Sequence, residues 1–296
     1  MMQVRLQTLA WMTIASWFAW PAQPAARAGT VDAALVGIDY SGQLFSISTT
    51  DATYSLLADV DLLNIGGLDF SDGVLYGLTK DVNPVLHSFM PDGAVIATTP
   101  VGDLAFIIEG GLALLGDGTA YAINAGFASD PVLAQLDVDS ADVLQSTSLT
   151  SPRDINGLAW VPVAAGGGSL LGIDRVSNAV VQINPGSGAV TFLRSVPGVV
   201  GDVGGMAYLD NLVYFSTAGS GTANPGSSEL YSFDPASGTV ALVGQLAPAA
   251  GEQRSVGSAG FSGLAVVPEP GTLGLLAGAV TLLARYRRRP LRGGGC

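Results

Sequence analysis

Gly157-Leu158-Ala159-Trp160 has four counterparts in the chain: Gly67-Leu68-Asp69-Phe70, Gly111-Leu112-Ala113-Leu114, Gly205-Met206-Ala207-Tyr208 and Gly263-Leu264-Ala265-Val266. The copies are spaced 44, 46, 48 and 58 residues apart. A recurrence of this length marks a repeat architecture, in which each unit buries its faces against its neighbours. Every copy but the last precedes a second apolar stretch: Leu75-Tyr76-Gly77-Leu78, Ala120-Tyr121-Ala122-Ile123, Leu170-Leu171-Gly172-Ile173 and Leu212-Val213-Tyr214-Phe215. A third element then runs into a turn. Val181-Gln182-Ile183-Asn184-Pro185-Gly186-Ser187-Gly188-Ala189-Val190-Thr191 aligns with Tyr231-Ser232-Phe233-Asp234-Pro235-Ala236-Ser237-Gly238-Thr239-Val240-Ala241, and Asn or Asp, Pro, Ser and Gly are the residues of a turn between alternating strands. In the same frame stand Leu86-His87-Ser88-Phe89 before Pro91-Asp92-Gly93, and Ala134-Gln135-Leu136-Asp137 before Ser140.

Four short strands in a unit of about 45 residues predict an all-β fold, the β-propeller. Ala34 to Val60 supplies a second, third and fourth strand without an opener, as Leu35-Val36-Gly37-Ile38, Leu44-Phe45-Ser46-Ile47 and Tyr54-Ser55-Leu56-Leu57. The missing opener is Gly263 to Val266, so pairing of N- and C-terminal strands closes a ring of five blades and leaves only short edges. A non-closing β-solenoid is the structural alternative, and a strand at Leu104 to Ile108 would make six blades.

Outside this body the ends read differently. Arg5, the apolar stretch Leu9 to Trp20 and Ala26-Arg27-Ala28 form a signal peptide over residues 1–28, with cleavage set by Ala26 and Ala28. Residues 268–296 begin with Pro268-Glu269-Pro270, continue through the uncharged run 271–284, and carry Arg285, Arg287, Arg288, Arg289 and Arg292. As a helix the run is about 21 Å long, short for a permanent span, which needs roughly 20 residues. The arginines hold the tail's end cytoplasmic and the body outside. Pro268 and Pro270 are expected to keep this stretch out of both a preceding strand and a following helix.

Those three parts in that order resemble the PEP-CTERM sorting tail of Gram-negative bacteria. The resemblance covers about the last 27 residues of the chain; its motif falls on Pro268, Glu269 and Pro270, and Gly293-Gly294-Gly295-Cys296 extends beyond the family's pattern. It implies export through the Sec translocon, a transient inner-membrane anchor, processing by an exosortase-like membrane enzyme, and release to the cell surface or extracellular matrix of an exopolysaccharide-making organism.

The body, residues 29–267, keeps five cations, Lys80, Arg153, Arg175, Arg194 and Arg254, against 23 acids, a net charge of −18. Such a surface repels nucleic acid and anionic membranes. Cys296 is the sole cysteine, so the body has neither disulfide nor thiolate chemistry. His87 is the sole histidine, in line with Gln135, Gln182 and Ser232, and a lone histidine supplies no zinc site or Ser-His-Asp triad. Asp137, Asp139 and Asp142 have the spacing of calcium ligands, but lack the glycine and distal Glu of an EF-hand and fall on a hairpin turn; Ca²⁺ is the only cofactor candidate. Loops feeding the inner strands converge near a propeller's channel mouth, which makes Asn64, Glu109, Asp154 and Asp202 the candidate site for a cation or a sugar. Trp160, Tyr208, Tyr214, Tyr231 and Phe233 fall at positions that pack between blades. The expected function is a non-catalytic exported protein that binds exopolysaccharide or a surface protein. The alternative is a hydrolase or lyase that uses the channel-mouth carboxylates, with or without calcium.

Overall fold

The computed structural model describes residues 33–81, 83–102, 111–124, 131–150, 154–163, 167–196, 203–217, 228–256 and 260–268. The chain divides into a unit of Met1–Val31, outside the described residues, and one of Asp32–Cys296, which holds every sheet. The propeller prediction holds, with five antiparallel blades. Blade I contains β1 (Ala33–Ile38), β2 (Gln43–Ile47), β3 (Thr53–Asp59) and, returning from the far end, β21 (Gly263–Pro268). Blade II is β4 (Ile65–Ser71), β5 (Val74–Thr79), β6 (Val85–Phe89) and β7 (Val95–Pro100). Blade III is β8 (Leu112–Leu114), β9 (Thr119–Asn124), β10 (Val132–Asp137) and β11 (Val143–Ser148). Blade IV is β12 (Ile155–Pro162), β13 (Gly168–Asp174), β14 (Ala179–Ile183) and β15 (Val190–Ser195). Blade V is β16 (Val203–Leu209), β17 (Leu212–Thr217), β18 (Glu229–Asp234) and β19 (Thr239–Gln245), after which β20 (Ala247–Pro248) crosses to pair parallel with β3.

Ring closure is the antiparallel pairing of β1 with β21 from Ala33↔Pro268 to Ile38↔Gly263. Pro268 is therefore the last residue of a strand, which corrects the expectation that it stands outside one. A proline at a strand's end removes a single donor and is tolerated there. Ala33 and Pro268 are register partners, so the points of attachment of residues 1–32 and 269–296 are adjacent. Segments 1–32 and 269–296, with Ala26, Ala28, Glu269, Pro270 and the apolar run 271–284, lie outside the described residues.

The opener glycines explain how five inner strands pack round one axis. A Cβ on Gly67 would stand 2.7 Å from Leu112 N; one on Gly205 would stand 2.5 Å from Leu264 N; one on Gly263 would stand 2.9 Å from Leu68 N. Gly111 meets Leu158 N and Gly157 meets the Met206 side chain, so each glycine faces the next opener and the last faces the first. Only a residue without a Cβ lets backbones approach this closely.

Among the described residues the buried apolar side chains form five clusters, each between two blades, as repeat stacking requires. Between blades I and V, Phe45, Tyr54 and Phe261 meet with ring centroids 5.3 to 5.6 Å apart. Full burial of one such side chain contributes about 1.5 to 3 kcal/mol. Tyr208, Tyr214, Tyr231, Phe233 and Trp160 all pack in or against these clusters, as expected from their repeat positions.

Candidate functional site

The inner strands begin, and their partners end, at one end of the propeller. Asn64 and Asp154 hold the same position there in blades II and IV: Lys80 N donates to Asn64 O at 2.7 Å and Arg175 N donates to Asp154 O at 2.8 Å. Asn64 has φ 59°, a left-handed conformation that asparagine tolerates better than most side chains, and it is exposed. The Asp154 carboxylate meets Arg175 Nε at 3.4 Å with both side chains about a quarter to a third exposed (32% and 26%), a pair worth at most about 1 kcal/mol. Lys80 Nζ donates to the Tyr40 hydroxyl at 2.6 Å and lies 4.4 Å from the centroid of that ring. Two of the body's five cations thus occupy equivalent positions at this end, next to an aromatic ring and a carboxylate. Glu109 and Asp202, with Arg153, lie outside the described residues.

A second polar set at this end escaped the sequence reading. Asp39, just after β1, and Thr79, Asp174 and Thr217, the last residues of β5, β13 and β17, stand at the end of the second strand of their blades and are buried. Each accepts from the loop that follows or from the first residue of the next strand. Asp39 Oδ1 receives Ser41 N at 2.9 Å and Gln43 N at 2.8 Å; Thr79 Oγ1 receives Val85 N at 2.9 Å; Asp174 Oδ1 receives Val176 N at 3.2 Å; Thr217 Oγ1 receives Glu229 N at 3.2 Å. The signal was available as a short acceptor two residues after the aligned Gly37, Gly77, Gly172 and Phe215. Its purpose is to satisfy loop N–H groups that burial would otherwise strand.

Asp137 serves a turn. Its Oδ1 accepts from Asp139 N at 3.0 Å, Ser140 N at 2.8 Å and Ser140 Oγ at 3.1 Å, and these bonds, the Ser140 ones foremost, hold its carboxyl below the usual range. Asn184 does the same with Gly186 N and Ser187 N, both at 3.0 Å. Ala141 occupies the left-handed position that Gly188 and Gly238 fill elsewhere. Asp139 and Asp142 do not join Asp137 in a ligand set; among the described residues no group of three potential metal-binding side chains occurs.

His87 departs from its expected frame. The register pairs Gly77 with His87, Ala122 with Ala134, Gly172 with Val181 and Phe215 with Tyr231, so His87 occupies the buried position and Ser88 the polar one. Its Nδ1 lies 3.0 Å from Thr98 Oγ1 on the neighbouring strand, and burial pushes its pKa down.

Asp69 breaks the ring of alanines at the third opener position. Its carboxylate crosses the blade boundary to accept from Leu114 N at 2.7 Å and also accepts from Phe70 N at 2.8 Å. Part of the residue reaches the surface, yet the carboxyl group lies against blade faces that strip it of water. Desolvation outweighs the two donors and pushes its pKa up to about 7.

No family model matches the chain, and no curated protein matches it significantly. Among solved structures, a chain of a nidogen/laminin complex is similar over 80% of this chain and 98% of its own, at 15% identity and a TM-score of 0.48. A protein of unknown function from Bacteroides caccae is similar over 70% of each chain, at 14% identity and a TM-score of 0.42.

Proposed function

We propose that the chain is an exported, non-catalytic propeller protein that is carried to the cell surface or extracellular matrix by its Pro268-Glu269-Pro270 tail and binds exopolysaccharide or a surface protein there. The carrying observation is the position of the motif. Strand β21 completes the ring at Pro268, so nothing the described propeller needs lies beyond the first residue of the motif. A signal peptide and a sorting tail attached at register partners leave all five blades to fold as one exported body. The net charge of −18 on residues 29–267 fits a protein kept soluble outside the cell.

Intact-mass measurement on protein recovered from its native host tests the sorting. The expected mass lacks both residues 1–28 and the arginine cluster. A mature protein that still contains Arg285 to Cys296 refutes it.

A further inference from the structure

A small cleft lies between blades III and IV, away from the end that carries Asn64 and Asp154. One wall is a row across three strands: Gln135 on β10 stands directly opposite Tyr121 on β9 and Gln145 on β11. Thr147, two residues further along β11, projects from the same face, because side chains alternate along a strand. The other wall is Pro185-Gly186, in the turn between β14 and β15, which Asn184 Oδ1 holds rigid through Gly186 N and Ser187 N. The cleft holds about 90 Å³, well below the roughly 300 to 1,000 Å³ of pockets that enclose a whole small ligand, so it has room for part of one ring and leaves the remainder of a longer ligand outside.

Its chemistry differs from the rest of the molecule. In a body of net charge −18, neither a carboxylate nor a cation lines it; the polar groups are two primary amides and a hydroxyl, beside one phenol. The Tyr121 ring is backed by Trp160, with centroids 6.3 Å apart, and so presents a fixed aromatic platform. Burial, and then the charge of Asp117, hold its phenol above the ordinary range, so the hydroxyl remains a donor at neutral pH. The sharpest contrast is with the equivalent glutamine of the next blade. Gln182 donates its amide to Ser169 Oγ at 3.0 Å, whereas the half-buried Gln135 carboxamide makes no hydrogen bond among the described residues. A glutamine amide carries two donors and two acceptor lone pairs, and an unspent one facing a cleft is available to a ligand.

We propose that this cleft binds one neutral sugar unit of a polysaccharide, its C–H face against Tyr121 and its hydroxyls against Gln135, Gln145 and Thr147. A sugar hydroxyl both donates and accepts, which matches carboxamide and hydroxyl partners. A uronate would bring a carboxylate to a strongly acidic body and meet no cation in the cleft. The assignment deepens the glycan-binding part of the proposed function and rests on it.

Affinity electrophoresis of the full chain in gels that contain dextran, galactomannan or polygalacturonate provides the test. At least one neutral polymer is expected to retard the chain and polygalacturonate is not. Gln135→Ala and Gln145→Ala are each expected to weaken retardation about fivefold, the worth of one hydrogen bond, while Gln182→Ala leaves it unchanged. Gln145 is exposed on an outer strand, so Gln145→Ala decides the matter if Gln135→Ala lowers the melting temperature. Failure of all three polymers to retard the chain overturns the site and the glycan-binding reading together. Retardation that survives both glutamine substitutions, or retardation by polygalacturonate alone, overturns the site and leaves glycan binding to another surface.

Discussion

Gly205→Ala is the substitution that most directly tests how the blades meet. A Cβ at this position would stand 2.5 Å from Leu264 N and 2.8 Å from both Gly263 C and Gly263 Cα. Comfortable separation for such atoms is about 3.5 Å, so β16 and β21 would have to part by roughly 1 Å. All three obstacles are backbone atoms in a paired strand, and none turns aside as a side chain would. Overpacking of a tight interior costs about 1 to 3 kcal/mol; with only backbone to move, the upper end applies. At roughly 2 to 4 °C per kcal/mol for a domain of this size, the melting temperature is expected to fall by about 6 to 12 °C. The matched control is Gly102→Ala, where an added Cβ meets nothing within 4 Å and φ is not in the left-handed region; it is expected to be neutral or slightly stabilising. Urea unfolding followed by far-ultraviolet circular dichroism measures both. A Gly205→Ala variant within about 1 kcal/mol of the control, well under that overpacking cost, would show that the inner ring yields, and the glycine argument would fall.

Ring closure and the buried carboxylate give two further expectations. A chain ended after Ser262 removes β21, leaves β1 paired on one side only and takes Leu264, Ala265 and Val267 from two inter-blade clusters; it is expected to lose cooperative melting, while a chain ended after Pro268 melts as the full chain does. Equal melting of the two truncations would refute closure by the terminal strand. For Asp69 the native pKa, about 7, lies above the unfolded value near 3.9, so the folded state holds a proton that the unfolded state has released. Its contribution to stability is fully present below the unfolded pKa and is lost as pH rises from about 4 to about 7. Asp69→Ala, which installs the residue of the other four openers, is expected to flatten that part of the melting-temperature profile; a profile of unchanged slope argues against a protonated Asp69.

The repeat was legible because its constraints are local. A glycine that needs close approach, an apolar residue beside it, and an Asn or Asp that caps its own turn all leave their identity at a fixed spacing. The N-terminal strands without an opener, Ala34 to Val60, and the opener without followers, Gly263 to Val266, were enough to predict which ends pair. His87 was misplaced by one residue because alternation fixes the period of a strand and not its phase. Val85 to Phe89 reads equally well in two frames until Gly77 is seen opposite His87. Pro268 was misjudged because proline's missing N–H bars it from a strand's middle, yet costs little at an end whose partner, Ala33, begins β1.

The candidate sites depended on what no spacing carries. Asn64 and Asp154 hold equivalent positions in blades II and IV, but the engagement of Asp154 with Arg175 and of Lys80 with Tyr40 depends on side-chain direction, which spacing does not carry. Asp69 was visible as an exception to the alanines, while its raised pKa required the neighbouring blade that desolvates it. By itself the sequence determined an all-β ring of five units, the pairing of its two ends and the acidic character of the body, because periodicity and charge are sums over residues. Tertiary structure alone decided that Gln135 is unspent while Gln182 is not, since a hydrogen bond needs a partner within about 3 Å and the fold, not the repeat, supplies Ser169 in one blade and an open cleft in the other.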